Sequence, residues 1–223
     1  MWGSAANAFR PAMTSPSSPA PSSYGADFWD ARYGTADFVF GTEPNDFLRH
    51  IAGEIPSGPV LCLAEGEGRN AVFLAGRGHA VTAVDLSAAG LAKAQALAAA
   101  RGVTLTTAVA DLSTYAIAPG AWSGIVAIFM HLPPALRRDL LTRAAAGLRP
   151  GGVFAMEAYT PAQLAFGTGG PKDPALLPTL AQLHAELPGL EFTVGRELER
   201  DVIEGTGHTG RAAVVQVVAR RPL

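Results

Sequence analysis

From Val60 onward the chain alternates between short, nearly continuous apolar runs and longer stretches whose apolar residues recur every three or four positions. Runs such as "VLCLA" and "VTAVD" read as strands buried on both faces, and the periodic stretches as helices packed over them. The spacing predicts strands over 60–64, 80–85 and 103–109, with helices over about 69–77 and 88–101 between them. The alternation continues in "SGIVAIFM" (strand), "PPALRRDLLTRAAAGL" (helix) and "GGVFAMEAY" (strand). Strands separated by helical crossovers lie parallel. Near the carboxyl end the rhythm changes. After the Gly/Pro-rich "FGTGGPKDP" and a helix near 175–187, "LEFTVGRELERDVIEG" and "RAAVVQVVARR" follow one another with no helix between them. Two strands with a short connection pair antiparallel, so the expected fold is a doubly wound, mostly parallel α/β sheet with an antiparallel last strand.

Upstream, "TEPNDFLRHIAGEI" reads as a helix with Thr42 as its cap, Pro44 near its first turn, and Phe47, Leu48, Ile51 and Ile55 at helical spacing. Before it, "YGADFWDARYGTADFVF" is dense in aromatic side chains and is expected to fold back onto the domain. Residues 1–23 are rich in Ser, Pro and Ala with little to bury, the composition of a disordered leader. That leaves 24–223 as a single domain. A formal charge of −2 at pH 7 and five scattered histidines present no basic face for nucleic acid or anionic lipid. Cys62 is the single cysteine, so no internal disulfide and no cysteine cluster for zinc is available, and a reducing, cytoplasmic setting fits best. No apolar run approaches the roughly 20 residues of a membrane span, and no export signal is read at the start. The partner expected is a small-molecule substrate, with the protein a monomer or homodimer and no metal required.

The chemistry-bearing stretch is "AEGEGRNA", where Gly66, Gly68 and Ala71 satisfy GxGxxG/A between a strand and a helix. Glycine lets backbone approach a ligand closely, and the amino end of a helix favours negative or polar groups. Asp85, ending the second strand, stands where a carboxylate accepts hydrogen bonds from ribose hydroxyls. A nicotinamide dinucleotide and S-adenosylmethionine share these needs. Three features favour S-adenosylmethionine: an aromatic segment and a helix precede the glycine turn, "AVADLS" sets Asp111 and Leu112 where an adenine would be met, and an antiparallel hairpin closes the chain. Glu65, Gly66, Gly68, Arg69, Asn70, Asp85, Leu86, Asp111 and Leu112 are thus the expected cofactor contacts. Trp29 and Tyr33, with Phe40, are expected as an aromatic lid over a sulfonium. A nicotinamide-dependent oxidoreductase and a non-catalytic cofactor-binding module stay open as alternatives.

The ordered motifs "LCLAEGEGRNAVFLA", "VTAVDLS", "VADLS", "IFMHLP" and "LRPGGVFAMEAYTP" resemble class I S-adenosylmethionine-dependent methyltransferases over most of residues 24–220. In "FWDARYG", "FGTEPNDFL" and "GEGRNAVFLAGRGHAVTAVDLS" the likeness narrows to the tellurite-resistance methyltransferase family, with the thiopurine methyltransferases as broader relatives. The resemblance implies a seven-stranded sheet and an acceptor that is a small soft nucleophile, such as tellurite, selenite or a thiol. Two positions depart from the class pattern: Cys62 stands where an acid is common, and Ala64 where the loop's first glycine is common. Glu65 is the candidate to replace that acid at the methionine amino group.

Methyl transfer from a sulfonium is an in-line displacement that chiefly needs alignment, plus a base for a neutral acceptor or a cation for an anionic one. His131 after the fourth strand, Arg69 after the glycine turn and Tyr159 after the fifth strand are the catalytic candidates. Glu204, His208 and Arg211 near the hairpin turn are the weaker set, because hairpin tips are usually surface. His50, His79 and His184 are expected to be structural. The loop "YTPAQLAFGTGGPKDPALLP" is the expected substrate loop.

Overall fold

The structure, a computed structural model, describes residues 25–223; the leader expected over 1–23 lies outside the described residues. Seven strands, β1 (Pro59–Leu63), β2 (Ala80–Asp85), β3 (Thr106–Val109), β4 (Trp122–Ile128), β5 (Leu148–Tyr159), β6 (Glu191–Glu204) and β7 (His208–Arg220), form one sheet in the order β3-β2-β1-β4-β5-β7-β6. β1 to β5 are parallel, and β7 runs antiparallel between β5 and β6. The mostly parallel sheet expected from the alternation is therefore the one formed. β1 is flanked by β2 on one side and β4 on the other, so successive crossovers leave in opposite directions and open a crevice at the carboxyl ends of these two strands.

Among the described residues six α-helices accompany the sheet: α1 (Ala26–Tyr33), α2 (Asp46–Ile51), α3 (Arg69–Gly76), α4 (Ala88–Ala100), α5 (Pro134–Gly147) and α6 (Leu180–Glu186). One face of the sheet packs Val60, Cys62 and Val126 against Leu48 and Ile51 of α2, Leu74 of α3 and Leu91 of α4. The other face packs Leu61, Leu63, Ile125 and Phe154 against Leu140 and Leu141 of α5 and Leu183 of α6. Burial on both faces is why the central strands read as continuous apolar runs. The aromatic segment does fold back: Asp30 of α1 accepts from the Ser87 hydroxyl at 2.5 Å and the Ala89 amide at 3.0 Å, fastening α1 to the amino end of α4.

Two expectations are corrected. The cap of α2 is Asn45, whose Oδ1 accepts the Leu48 amide at 2.9 Å, and not Thr42; Asn45 is fully buried and its amide group is drawn inward by two carboxylates. The helix near 175–187 splits into a 3₁₀ turn, Pro174–Leu176, and α6. Pro178 separates them, since a proline disfavours helical backbone in the residue before it, and Thr179 restarts the chain with a capping box to Gln182.

Candidate active site

After β1 the backbone turns left-handed at Ala64, Gly66 and Gly68, with φ of 51°, 60° and 90°, before α3 begins at Arg69. A Cβ on Gly68 would lie 2.6 Å from Cα of Ala94, and one on Gly66 would lie 2.6 Å from the Tyr33 hydroxyl. Glycine is therefore required at both, for close packing of α3 on α4 and for the approach of Tyr33. Ala64 adopts the same region with a Cβ, at a cost on the order of 1 kcal/mol.

Asp85 ties this loop to β2: one carboxylate oxygen accepts the Gly66 amide and the other the Ser87 amide, both at 2.8 Å. Burial pushes its carboxyl up, and the amides of Ser87, Gly66 and Leu86 oppose that. A carboxylate oxygen has two lone pairs, so each keeps one for a ribose hydroxyl. Glu65 caps α3, accepting the amides of Asn70 at 3.0 Å and Ala71 at 2.8 Å through one oxygen. Burial pushes Glu65 up to about 7 against those amides and the charge of Arg69. The fully buried Cys62 thiol beneath it is raised by burial and then by the Glu65 carboxylate.

The rest of the cofactor set divides. Asn70 is buried and committed elsewhere, its Oδ1 accepting the Asn45 amide at 2.9 Å. Leu86 follows Asp85 half-buried, and the side chain of Asp111 accepts the Ser113 amide at 2.8 Å in an exposed turn. Leu112 is buried in the core beside α5. Tyr33 is buried over the glycine loop and stacks on Trp29 at 5.5 Å, while Phe40 meets Tyr33 edge-on at 6.2 Å. Glu67, which the motif left unassigned, is what holds this cover down. Its carboxylate accepts the amides of Val39 and Phe40, each at 3.2 Å, and the Lys93 ammonium at 2.8 Å.

Beyond β4 lies a second cluster. Phe129, at φ 53°, His131, Tyr159 and His208 pack ring on ring, with centroids of Phe129 and His208 4.5 Å apart and of Tyr159 and His208 5.3 Å apart. Nε2 of His131 accepts the Tyr159 amide at 3.1 Å. Burial depresses His131 to about 4, opposed by a hydrogen bond with the Phe129 backbone and assisted by Arg137, so its ring is neutral at pH 7 and one lone pair is spent. Tyr159 is buried, and burial followed by the Glu204 and Glu157 charges raises its hydroxyl far above the usual range. Gly169 and Gly170 of the expected substrate loop press on Tyr159, and Gln163 pins that loop by accepting the Ala213 amide at 2.9 Å.

The hairpin tip reaches this cluster. The Gly207 amide donates to the Val39 carbonyl at 3.0 Å, and His208 stacks on Phe40 at 4.4 Å. His208 therefore packs into this ring cluster and Glu204 pairs with Arg69 beneath it, whereas Arg211 remains at the surface with Glu199 and Asp201. His184 stacks on Phe192 and His50 borders a surface concavity of about 280 Å³, both away from the crevice. His79 lies half-buried at the turn before β2.

Sequence reasoning missed the polar floor under both halves. Fully buried Glu157 accepts from Arg200 at 2.8 Å through two nitrogens, from Gln216 at 2.9 Å and from Asn45 at 2.5 Å. Glu204 accepts from Arg69, from Asn45 at 2.7 Å and from Arg200 at 3.3 Å. Two carboxylates and two guanidiniums balance in charge, which is what permits their burial. The available signal was Glu157 within an otherwise apolar strand run; its partners, Asn45, Arg200 and Gln216, come from three distant segments, and no spacing rule connects them. Among the described residues there is no cluster of His, Cys, Asp and Glu suited to a metal ion, and no helix long and apolar enough to cross a membrane.

Residues 60–152 match the family model described as a methyltransferase domain, a span that holds the glycine loop, Asp85 and β4. No curated protein matches the chain. Among solved structures, one described as "Conversion of a Disulfide Bond into a Thioacetal Group during Echinomycin Biosynthesis" aligns with TM-score 0.72 at 20% identity, over 88% of this chain and 91% of that one. TehB from Haemophilus influenzae aligns with TM-score 0.63 at 19% identity, over 88% of this chain and 66% of its own. The N-methyltransferase NodS from Bradyrhizobium japonicum WM9 aligns with TM-score 0.62 at 13% identity, over 79% and 93%. These likenesses establish the methyltransferase fold.

Proposed function

We propose that this protein transfers the methyl group of S-adenosylmethionine to a small soft nucleophile, a chalcogen oxyanion such as tellurite or selenite, or a thiol. The observation that carries the reading is the pairing of two unlike half-sites along one sheet edge. The glycine loop with Asp85 and Glu65 suits the donor, and the Phe129, Tyr159 and His208 rings with Arg69 suit a compact acceptor. The donor fits the residues present: Asp85 retains one lone pair on each oxygen for the ribose, and Glu65 stands at the methionine end where Cys62 replaces an acid. Asp111 and Leu112 follow β3 on the adenine side. When bound, the donor supplies an electrophilic methyl carbon on a cationic sulfur. The chain's own contribution is alignment and exclusion of water: Tyr33 and Phe40 cover the crevice, Glu67 and the hairpin tip hold that cover, and aromatic faces favour the sulfonium charge. The narrower likeness to the tellurite-resistance family, stated from sequence, directs the choice of acceptors.

The test is transfer of labelled methyl from S-adenosylmethionine to tellurite, selenite, small thiols and thiopurines, with amines and phenols as contrast acceptors. Labelled product from the chalcogen acceptors and none from amines is expected. Binding of S-adenosylhomocysteine with product only from an amine or phenol would overturn the soft-nucleophile reading.

A further inference from the structure

Arg196 carries a charge that no carboxylate of the described residues pairs with, yet its guanidinium is held in place. In the register of the sheet, Arg196 of β6, Gln216 of β7 and Glu157 of β5 lie in one row across three strands, where side chains on the same face meet. Arg196 donates Nε and Nη2 to a single oxygen, Oε1 of Gln216, at 2.9 and 2.7 Å. Gln216, 3% exposed, in turn donates Nε2 to Glu157 at 2.9 Å. A neutral amide therefore fixes the guanidinium and leaves its charge uncancelled, whereas Arg200 on the same strand pairs with Glu157 and Glu204. A guanidinium has five N–H donors, so both protons of Arg196 Nη1 and one of Nη2 are left over.

Arg196 borders the surface concavity of about 280 Å³ between α2 and the β6–β7 end of the sheet, which Asp46, Phe47, His50, Arg200 and Gln216 also line. That volume is just under the roughly 300–1,000 Å³ of ligand pockets and suits a small molecule. The lining sets the ligand's chemistry. Glu157 offsets the charge of Arg200, which leaves Arg196 as the one uncompensated cation of the concavity. Asp46, exposed at the rim 3.8 Å from Arg200 Nη1, opposes a second negative charge, so a monoanion is favoured over a dianion. A planar carboxylate matches two parallel N–H groups of a guanidinium. Phe47 and His50, one turn apart on α2, offer a ring wall to a flat apolar body.

We infer that this concavity is a second ligand site, separate from the crevice, which takes a small flat monocarboxylate with its carboxylate on Arg196 and its apolar body against Phe47 and His50. Because Gln216 already holds the guanidinium, little side-chain freedom remains to be lost on binding. None of the lining residues belongs to the glycine loop, the aromatic cover or the ring cluster, so the site does not depend on the methyltransferase reading. It meets the crevice through buried hydrogen bonds, from Gln216 by way of Glu157, Asn45 and Glu204 to Arg69.

The experiment titrates full-length protein with sodium benzoate, with and without S-adenosylhomocysteine, read by calorimetry and by the ring signals of labelled histidine and phenylalanine. Saturable one-to-one binding is expected, with the His50 and Phe47 signals shifting under both conditions. Benzamide keeps the ring and loses the charge, and is expected to bind about tenfold more weakly or worse. Phenyl phosphate is expected to bind no more tightly than benzoate. Arg196→Gln, a substitution at an exposed position, is expected to weaken benzoate by about tenfold or more with Tm unchanged. Arg196→Lys keeps the charge and loses the fork; it is expected to bind benzoate less tightly than wild type and carries the test if the Gln variant fails to fold. Absence of saturable benzoate binding, benzamide binding as tightly, tighter binding of phenyl phosphate, displacement of benzoate by S-adenosylhomocysteine, or unchanged affinity in the Arg196 variants overturns the inference.

Discussion

Glu204→Gln tests the buried floor most directly. The Glu204 carboxylate receives the Arg69 guanidinium, Asn45 at 2.7 Å and Arg200 at 3.3 Å, and only 5% of the residue is exposed. Gln keeps the volume and removes the charge, leaving Arg69 as a buried cation that already has one orphaned nitrogen. Breaking a buried pair by neutralising one partner costs about 3–5 kcal/mol. For a domain near 200 residues each kcal/mol shifts Tm by about 2–4 °C, so the expected fall is roughly 6–20 °C. The comparison that isolates the cause is Glu204→Leu with Arg69→Met, which removes both charges together. If the uncompensated cation is responsible, the double variant recovers at least half of the loss. Thermal unfolding followed by circular dichroism, with urea unfolding as a second measure, reads both. A Tm within about 2 °C of wild type for Glu204→Gln, or a double variant as unstable as the sum of its singles, would refute the reasoning.

Further outcomes are expected at three residues. Gly68→Ala forces a side chain into the Ala94 backbone at φ 90°, and combined strain and overpacking should cost at least about 2 kcal/mol in urea unfolding while abolishing S-adenosylhomocysteine binding. Asp85→Asn puts an amide NH₂ where a carboxylate oxygen now accepts the Gly66 or Ser87 amide, and calorimetry should show at least tenfold weaker S-adenosylhomocysteine binding. Glu65, held up to about 7, is mostly protonated below that pH, and a ligand ammonium prefers its ionised form. S-adenosylhomocysteine affinity should therefore rise as pH increases from about 5.5 to 7 and level off above, with the slope lost in Glu65→Gln. The stability sign is opposite: a raised acid in the fold makes its contribution at low pH and loses it as pH climbs from 4.5 towards 7, so wild type should lose stability relative to Glu65→Gln across that window.

The sequence by itself determined the parallel sheet, because strands covered on both faces must be continuously apolar and strands joined by helices must be parallel. It also placed the glycine turn ahead of α3 and Asp85 at the end of β2, because a glycine turn at the head of a helix and an acid at the end of the next strand are local features with fixed spacing. Only the tertiary structure decided the rest. His131 looked like a base from its place after β4, yet folding spends its Nε2 on the Tyr159 amide and buries the ring below its ordinary titration range. The hairpin tip looked like surface, yet Gly205 and Gly207 dock on residues 38–41 and carry His208 inward while Arg211, three residues on, stays outside. Asn45, Glu157, Glu204 and Arg200 are separated by up to 159 positions along the chain and meet in one charge-balanced network. Pairing over such distances is set by which strands become neighbours, and β7 inserted between β5 and β6 is what brings Glu157, Gln216 and Arg200 side by side.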